Sequence, residues 1–182
     1  KSPSFMGLGY LPGCFSSSAL SISADGSTVV GFSRFGSNYV DVEAFRWTRD
    51  GGMLGLGDFP GGDYGSVAFG TSGEGRFVVG YGISSLGPEA FLWSSDTGMV
   101  GLGYLPGGIN FSVAKAVSAD GSVVVGESDA PGGGAFRWTS ADGIISLGRV
   151  PGVITSDIAN AVSADGAVIV GNGYTSGSTQ AF

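Results

Sequence analysis

The stretch Gly101-Leu102-Gly103-Tyr104-Leu105-Pro106-Gly107 decides the fold, because it is a return. It appears earlier as Gly7-Leu8-Gly9-Tyr10-Leu11-Pro12-Gly13 and as Gly55-Leu56-Gly57-Asp58-Phe59-Pro60-Gly61. A fourth copy reads Ser146-Leu147-Gly148-Arg149-Val150-Pro151-Gly152, and the spacings are 48, 46 and 45 residues. Two further landmarks keep the same period. One is Ser23-Ala24-Asp25-Gly26, Ser72-Gly73-Glu74-Gly75, Ser118-Ala119-Asp120-Gly121 and Ser163-Ala164-Asp165-Gly166. The other is Ala44-Phe45-Arg46-Trp47, Ala90-Phe91-Leu92-Trp93 and Ala135-Phe136-Arg137-Trp138, with Ala181-Phe182 at the chain's last positions. Periods of about 20–50 residues belong to propellers, solenoids and arrays.

Each unit reads as four short strands. In the third, Ala114–Val117 is the first strand and Ser118–Gly121 a hairpin turn. Gly121 suits a positive φ there, and Asp120 can accept from nearby backbone N–H groups. Ser122–Gly126, Ala135–Thr139 and Gly143–Leu147 follow as strands. No stretch carries apolar residues at helical spacing over three turns. Val123-Val124-Val125 and Val168-Ile169-Val170 are apolar on both faces, as strands of a sheet stacked between two others are.

These features predict one all-β domain over residues 1–182, a β-propeller of four-stranded blades, with a β-solenoid as the alternative. The units run at about 7–54, 55–100, 101–145 and 146–182. Residues 1–6 lie where a fourth strand would complete the last blade. A closed four-bladed ring and part of a larger propeller both remain open, because joining the ends leaves a shorter connection than the internal ones.

The ordered set Gly-Leu-Gly-x-Leu-Pro-Gly-Gly, Ala-x-Ala-Val-Ser-Ala-Asp-Gly-Ser-x-Val-Val-Gly and Ala-Phe-Arg-Trp-Thr resembles the HAF family of bacterial extracellular repeat proteins. The likeness covers nearly the whole chain. The histidine that gives the family its name is replaced by Glu43, Glu89, Gly134 and Gln180, so no role of that histidine carries over. The resemblance implies a secreted or surface-exposed protein, sometimes a passenger joined to an autotransporter barrel, and no catalytic activity.

Composition narrows the function classes. The net charge is −7 and the eight basic residues are scattered. Phosphate backbones bind clustered Lys and Arg, so nucleic acid is not an expected partner. No apolar run approaches the roughly 18 residues of a membrane helix, and membrane insertion is not expected. No leader pattern opens the sequence, so an export signal is either removed or lies outside it. Histidine is absent, which removes Ser-His-Asp and Cys-His pairs and the usual zinc sites. Cys14 is the single cysteine and reads as an incidental loop residue. Asp25, Glu74, Asp120 and Asp165 recur, but each lies in a hairpin turn. A glycosidase needs two carboxylates close together, and calcium takes about six to eight oxygens. Neither is expected, and no cofactor is.

The aromatics divide in two. Phe45/Trp47, Phe91/Trp93 and Phe136/Trp138 share one strand face and read as core. Tyr10, Phe35, Tyr39, Tyr64, Tyr81, Tyr104, Phe111 and Tyr174 fall where the units differ. Function belongs where the scaffold does not dictate the residue. Tyr10, Asp58, Tyr104 and Arg149 occupy equivalent places that a ring gathers on one surface. The loops Phe32–Glu43, Tyr81–Glu89, Glu127–Gly134 and Asn172–Gln180 vary as well. The expected ligand-binding set is therefore Tyr10, Asp58, Tyr104, Arg149, Tyr39, Tyr81 and Tyr174. The expected function is non-catalytic recognition or adhesion at the bacterial surface, toward a glycan or a protein. The alternative is a structural surface or filament subunit that pairs with itself through its end strands, and a third, less favoured reading is a glycoside hydrolase using an Asp/Glu pair.

Overall fold

The computed structural model describes residues 5–38, 40–149, 157–174 and 177–182. They form antiparallel sheets in chain order and no helix. The first sheet holds β1 (Ser16–Ile22), β2 (Thr28–Arg34), β3 (Val42–Thr48) and β4 (Gly52–Gly55). The second holds β5 (Ser66–Thr71), β6 (Val78–Ser84), β7 (Gly87–Ser94) and β8 (Gly98–Gly101). The third holds β9 (Ser112–Val117), β10 (Val124–Ser128), β11 (Ala135–Thr139) and β12 (Gly143–Ser146). The fourth has three strands among the described residues: β13 (Asp157–Val162), β14 (Ile169–Tyr174) and β15 (Thr179–Ala181). Each strand pairs with the next in sequence, so every unit is a meander.

The turns follow from the residues that recur. In the third unit the Ser118 hydroxyl donates to Asp120 Oδ1 at 2.7 Å and accepts from the Val123 N–H at 3.0 Å. Asp120 Oδ1 also accepts the Ser122 N–H at 3.0 Å, and Gly121 takes the positive φ of 80° that the turn demands. The first and fourth units repeat this arrangement with Asp25 and Asp165.

A bulge interrupts every first strand. The register of β9 on β10 passes from Ala116↔Val125 to Ala114↔Gly126, leaving Lys115 as the extra residue. The same shift isolates Leu20, Phe69 and Asn160. The glycine opposite is obligatory. A Cβ on Gly126 would collide with the Val113 carbonyl, and Gly31, Gly80 and Gly171 face the same clash.

The sheets stack flank to flank. β1 lies against β5, β5 against β9 and β9 against β13, whereas β4, β8 and β12 make no comparable contact with a neighbouring sheet. The sheets therefore fan out, with their first strands along the inner border. Val30 and Ala44 of the first sheet bury against Ala68, Val78 and Phe91 of the second. Val79 and Ala90 meet Ala114, Val124 and Phe136 in the same way, and Val125 and Ala135 meet Ala159. Phe45, Phe91 and Phe136 have no exposed surface and Trp93 is buried, as expected of the aromatic core, whereas Trp47 and Trp138 are half-buried at its edge. Hydrogen bonds cross the stack too: Asp25 N–H to Gly73 O, Gly73 N–H to Ala119 O and Ala119 N–H to Ala164 O. The packing described here runs from first sheet to fourth and does not return. Phe5–Gly9 form no strand, so the pairing expected of residues 1–6 with the last unit is not formed at the described positions.

Two outcomes test this scheme. Gly126→Ala forces a methyl onto the Val113 carbonyl and is expected to cost about 1–3 kcal/mol, read by chemical denaturation. The Ser118 hydroxyl, then the Ser122 N–H and hydroxyl, hold the Asp120 carboxyl down at about 2, and Asp25 and Asp165 are lowered by the same kind of bond. A carboxyl lowered in the folded state stabilises it above the ordinary carboxylate pKa, and this is lost as pH falls through the folded value. The thermal midpoint should fall between about pH 5 and pH 2. The triple variant Asp25→Asn, Asp120→Asn, Asp165→Asn should be less stable at neutral pH and lose less on acidification. Parallel pH curves for the two proteins would contradict the assignment.

Candidate functional site

The loops before each first strand and those between second and third strands share one rim. The Leu11 N–H donates to Ser33 Oγ at 3.1 Å, the Leu105 N–H to Ser128 Oγ at 3.0 Å, and the Ile83 N–H to Gly65 O at 3.0 Å. Tyr10, Asp58, Tyr104 and Arg149 all lie here, one per unit, and three of them are struts. Asp58 accepts the N–H groups of Phe59 and Gly65 and closes its own loop. Burial raises its carboxyl above the ordinary value against the pull of those bonds. The Tyr104 hydroxyl meets Ser84 Oγ at 2.9 Å and ties its loop to the preceding sheet. Arg149 donates to Pro131 O at 3.2 Å and lies 3.9 Å from Asp157. Tyr10 alone projects freely, at 58% exposure. Tyr64 is exposed and meets Phe35 edge-on at 5.3 Å between ring centres. Tyr174 is exposed at the end of β14, and Tyr39 lies outside the described residues. Cys14, read as a loop residue, is buried with Leu11 against Phe45.

Two brackets that sequence reading missed hold the rim. Glu43 Oε1 accepts the Gly57 N–H at 3.3 Å, and Glu89 Oε1 accepts the Gly103 N–H at 3.1 Å. A Cβ on Gly55 or Gly101 would strike that carboxylate. In the third unit Gly134 replaces the glutamate, and Ser146 stands where Gly55 and Gly101 stood. Ser146 Oγ then accepts the Gly148 N–H at 3.0 Å. The second bracket is a serine. Ser66 Oγ accepts the Ala44 N–H and donates to Gly57 O, and Ser112 Oγ does the same between Ala90 and Gly103. The fourth unit carries Asp157 in this position, 1% exposed. Its carboxylate oxygens have no hydrogen-bond partner among the described residues, and the Arg149 guanidinium beside them supplies the opposite charge.

The variable residues come together on the inner border instead. The four bulges present Leu20, Phe69, Lys115 and Asn160 there. The residue after the facing glycine changes with each: Phe32, Tyr81, Glu127 and Asn172, of which the last three contact their bulge residues across the strands. Phe69 and Tyr81 stack at 6.0 Å with 29° between ring planes. Lys115 Nζ reaches Glu127 at 3.0 Å and also lies 5.0 Å from the centre of the Phe69 ring, on the neighbouring sheet. Asn160 Nδ2 donates to Asn172 Oδ1 at 2.6 Å. Burial raises the Tyr81 phenol above its ordinary pKa. After the apolar Leu20, aromatic, ionic and amide pairs thus follow one another along one strip. Of the described members of the expected ligand-binding set, only Tyr81 belongs to it. The signal was present in the sequence: the place after the recurring Ala19, Ala68, Ala114 and Ala159 and the place after the recurring Gly31, Gly80, Gly126 and Gly171 vary together, while that alanine and that glycine hold.

The glutamate bracket is testable. Glu89→Gly leaves the Gly103 N–H without its acceptor and should cost about 1–3 kcal/mol, measured by denaturant unfolding. Adding Gly101→Ser rebuilds the third unit's arrangement and should return most of the loss. Gly101→Ser alone, with Glu89 in place, should be worse than wild type.

No protein-family model and no curated protein sequence matches the chain. The crystal structure of TolB from Acinetobacter baumannii is similar, with a TM-score of 0.62 and 18% identity over 91% of this chain and 40% of that one. The chain spans less than half of that structure's length, and the likeness extends to an all-β, propeller-like fold.

Proposed function

We propose that the chain is a non-catalytic recognition module of the bacterial surface that binds a glycan along its inner strip. The carrying observation is the set of four bulges at one place in the repeat, presenting four chemically different side chains. Bulges re-aim side chains beside functional sites. A sugar ring has an apolar C–H face and a hydroxyl edge. The Phe69–Tyr81 stack suits the first, and the Asn160–Asn172 and Lys115–Glu127 pairs suit the second. The four sheets are read as consecutive propeller blades, an arrangement that supports binding along a shared border. The likeness to HAF repeats supports the extracellular setting. Tyr10, exposed on the rim, is read as an auxiliary contact.

Calorimetric titration against a panel of bacterial surface polysaccharides tests this. Phe69→Ala with Tyr81→Ala should weaken binding at least about tenfold, the scale of one to two lost ring contacts. Tyr10→Ala should weaken it less. Undiminished binding by the strip variant would move the site elsewhere. A protein that binds the strip while no polysaccharide does would replace the glycan.

A further inference from the structure

The rim of the first three sheets carries apolar side chains that the fold does not bury. Phe35, in the loop between β2 and β3, meets Tyr64 of the following unit edge-on, and both are exposed. At the next junction Leu86, on the turn between β6 and β7, is 64% exposed, and Ile109, in the loop before β9, is 68% exposed. The turn and the loop abut, because a Cβ on Gly87 would lie 2.6 Å from the Asn110 carbonyl. Hydrogen bonds hold these turns in place. Ser84 Oγ accepts the Leu86 N–H at 3.2 Å and donates to Gly87 O at 3.0 Å. Asp41 Oδ2 accepts the Asn38 N–H at 2.9 Å, and Arg34 donates to Asn38 O at 2.7 Å, which fixes the loop that carries Phe35. Large apolar groups on fixed turns lose little freedom when a partner covers them, as interface anchors require.

Charge is distributed unequally over the same three sheets. Among the described residues the rim end holds seven carboxylates and one guanidinium, and the hairpin-turn end six and four. Asp58, Glu43 and Glu89 accept backbone N–H groups, and Glu127 is paired with Lys115. Asp63, next to Tyr64, and Asp129 are exposed, and no hydrogen bond or ion pair occupies either carboxylate among the described residues. Asp129 lines one cavity with Ile109, Phe111 and Glu127. Its volume of about 240 Å³ lies below the roughly 300 Å³ at which small-molecule clefts begin, and it suits a single side chain. Each of the two junctions thus sets a free carboxylate beside an apolar pair.

We propose that this rim docks an extended segment of a partner protein that carries both apolar and basic residues. One apolar side chain covers the Phe35–Tyr64 pair, and another enters the cavity beside Ile109. Lys or Arg residues between them meet Asp63 and Asp129. The surplus of carboxylates sets the sign of the occupant, since an acidic segment is repelled here. Stacked sheets stand about 10 Å apart, which an extended chain spans in about three residues, so the apolar positions recur at every third residue. The apolar anchors lie outside the inner strip, and the proposal does not depend on the glycan reading.

Fluorescence anisotropy on the full chain, with a labelled peptide of three Leu-Arg-Ser repeats as probe, tests the proposal. The expected result is saturable binding that weakens as salt rises from about 50 to about 300 mM. Peptides with Glu in place of Arg, or Ser in place of Leu, should bind at least about tenfold more weakly. Leu86→Ser with Ile109→Ser, and Asp63→Lys with Asp129→Lys, replace side chains that are already exposed, so both variants should fold normally by circular dichroism. Each should weaken binding of the Leu-Arg-Ser peptide at least about tenfold. No binding up to about 1 mM, equal binding of either control peptide, or binding untouched by either variant would each overturn the proposal. Self-association of the chain that Asp63→Lys with Asp129→Lys abolishes would give the rim to a second copy and overturn it as well.

Discussion

The fold depends on a close approach between a first-strand carbonyl and the glycine that follows the apolar run of the second strand. At Val113 and Gly126 there is no room for a methyl group, and the same is true at the three equivalent points. Absence of the side chain lets the first strand carry one extra residue without separating from its partner. That residue leaves the alternation that sends its neighbours into the two flanking sheets. One tight contact therefore keeps the two strands paired across the bulge and gives each sheet a side chain directed elsewhere.

Around this fixed point the units exchange parts in compensating sets. A glutamate pairs with a bare glycine twelve residues later, or a glycine pairs with a serine. A serine at 33 and 128 receives the N–H of Leu11 and Leu105, whereas Gly82 leaves space for the larger Phe59 ring. Asp157 replaces a serine and brings Arg149 beside it. The first two exchanges conserve volume or hydrogen-bond count, as close-packed junctions require, and the third trades hydrogen bonds for an ion pair. The inner strip differs in kind. Its pairs are matched within a sheet, but across the second, third and fourth sheets they move from aromatic to ionic to amide.

Much of the fold was legible because it rests on local rules. The period, the strand positions in the third unit, the turn at Gly121 and the burial of Phe136 follow from alternation, turn chemistry and recurrence. The bulge was not legible: Ala114-Lys115-Ala116-Val117 reads as an ordinary strand, and an extra residue shows only in the register with its partner. The rim set was misjudged for a related reason. Tyr104, Asp58 and Arg149 look free in sequence because their partners Ser84, Gly65 and Pro131 are brought near only by folding. Val168 and Val170 were expected to be enclosed like Val123 and Val125, but nothing described here lies over them.

The stacking of sheets on nearest neighbours alone has a thermodynamic consequence. In a linear array each interior element is held by two interfaces and each terminal one by a single interface. The cross-stack bonds from Asp25 through Gly73 and Ala119 to Ala164 link adjacent elements and nothing more distant. Cooperativity then decays along the chain, and opening at the periphery leaves the middle intact. The thermal midpoint of such a molecule is an average over its units, weighted by which of them a probe reports.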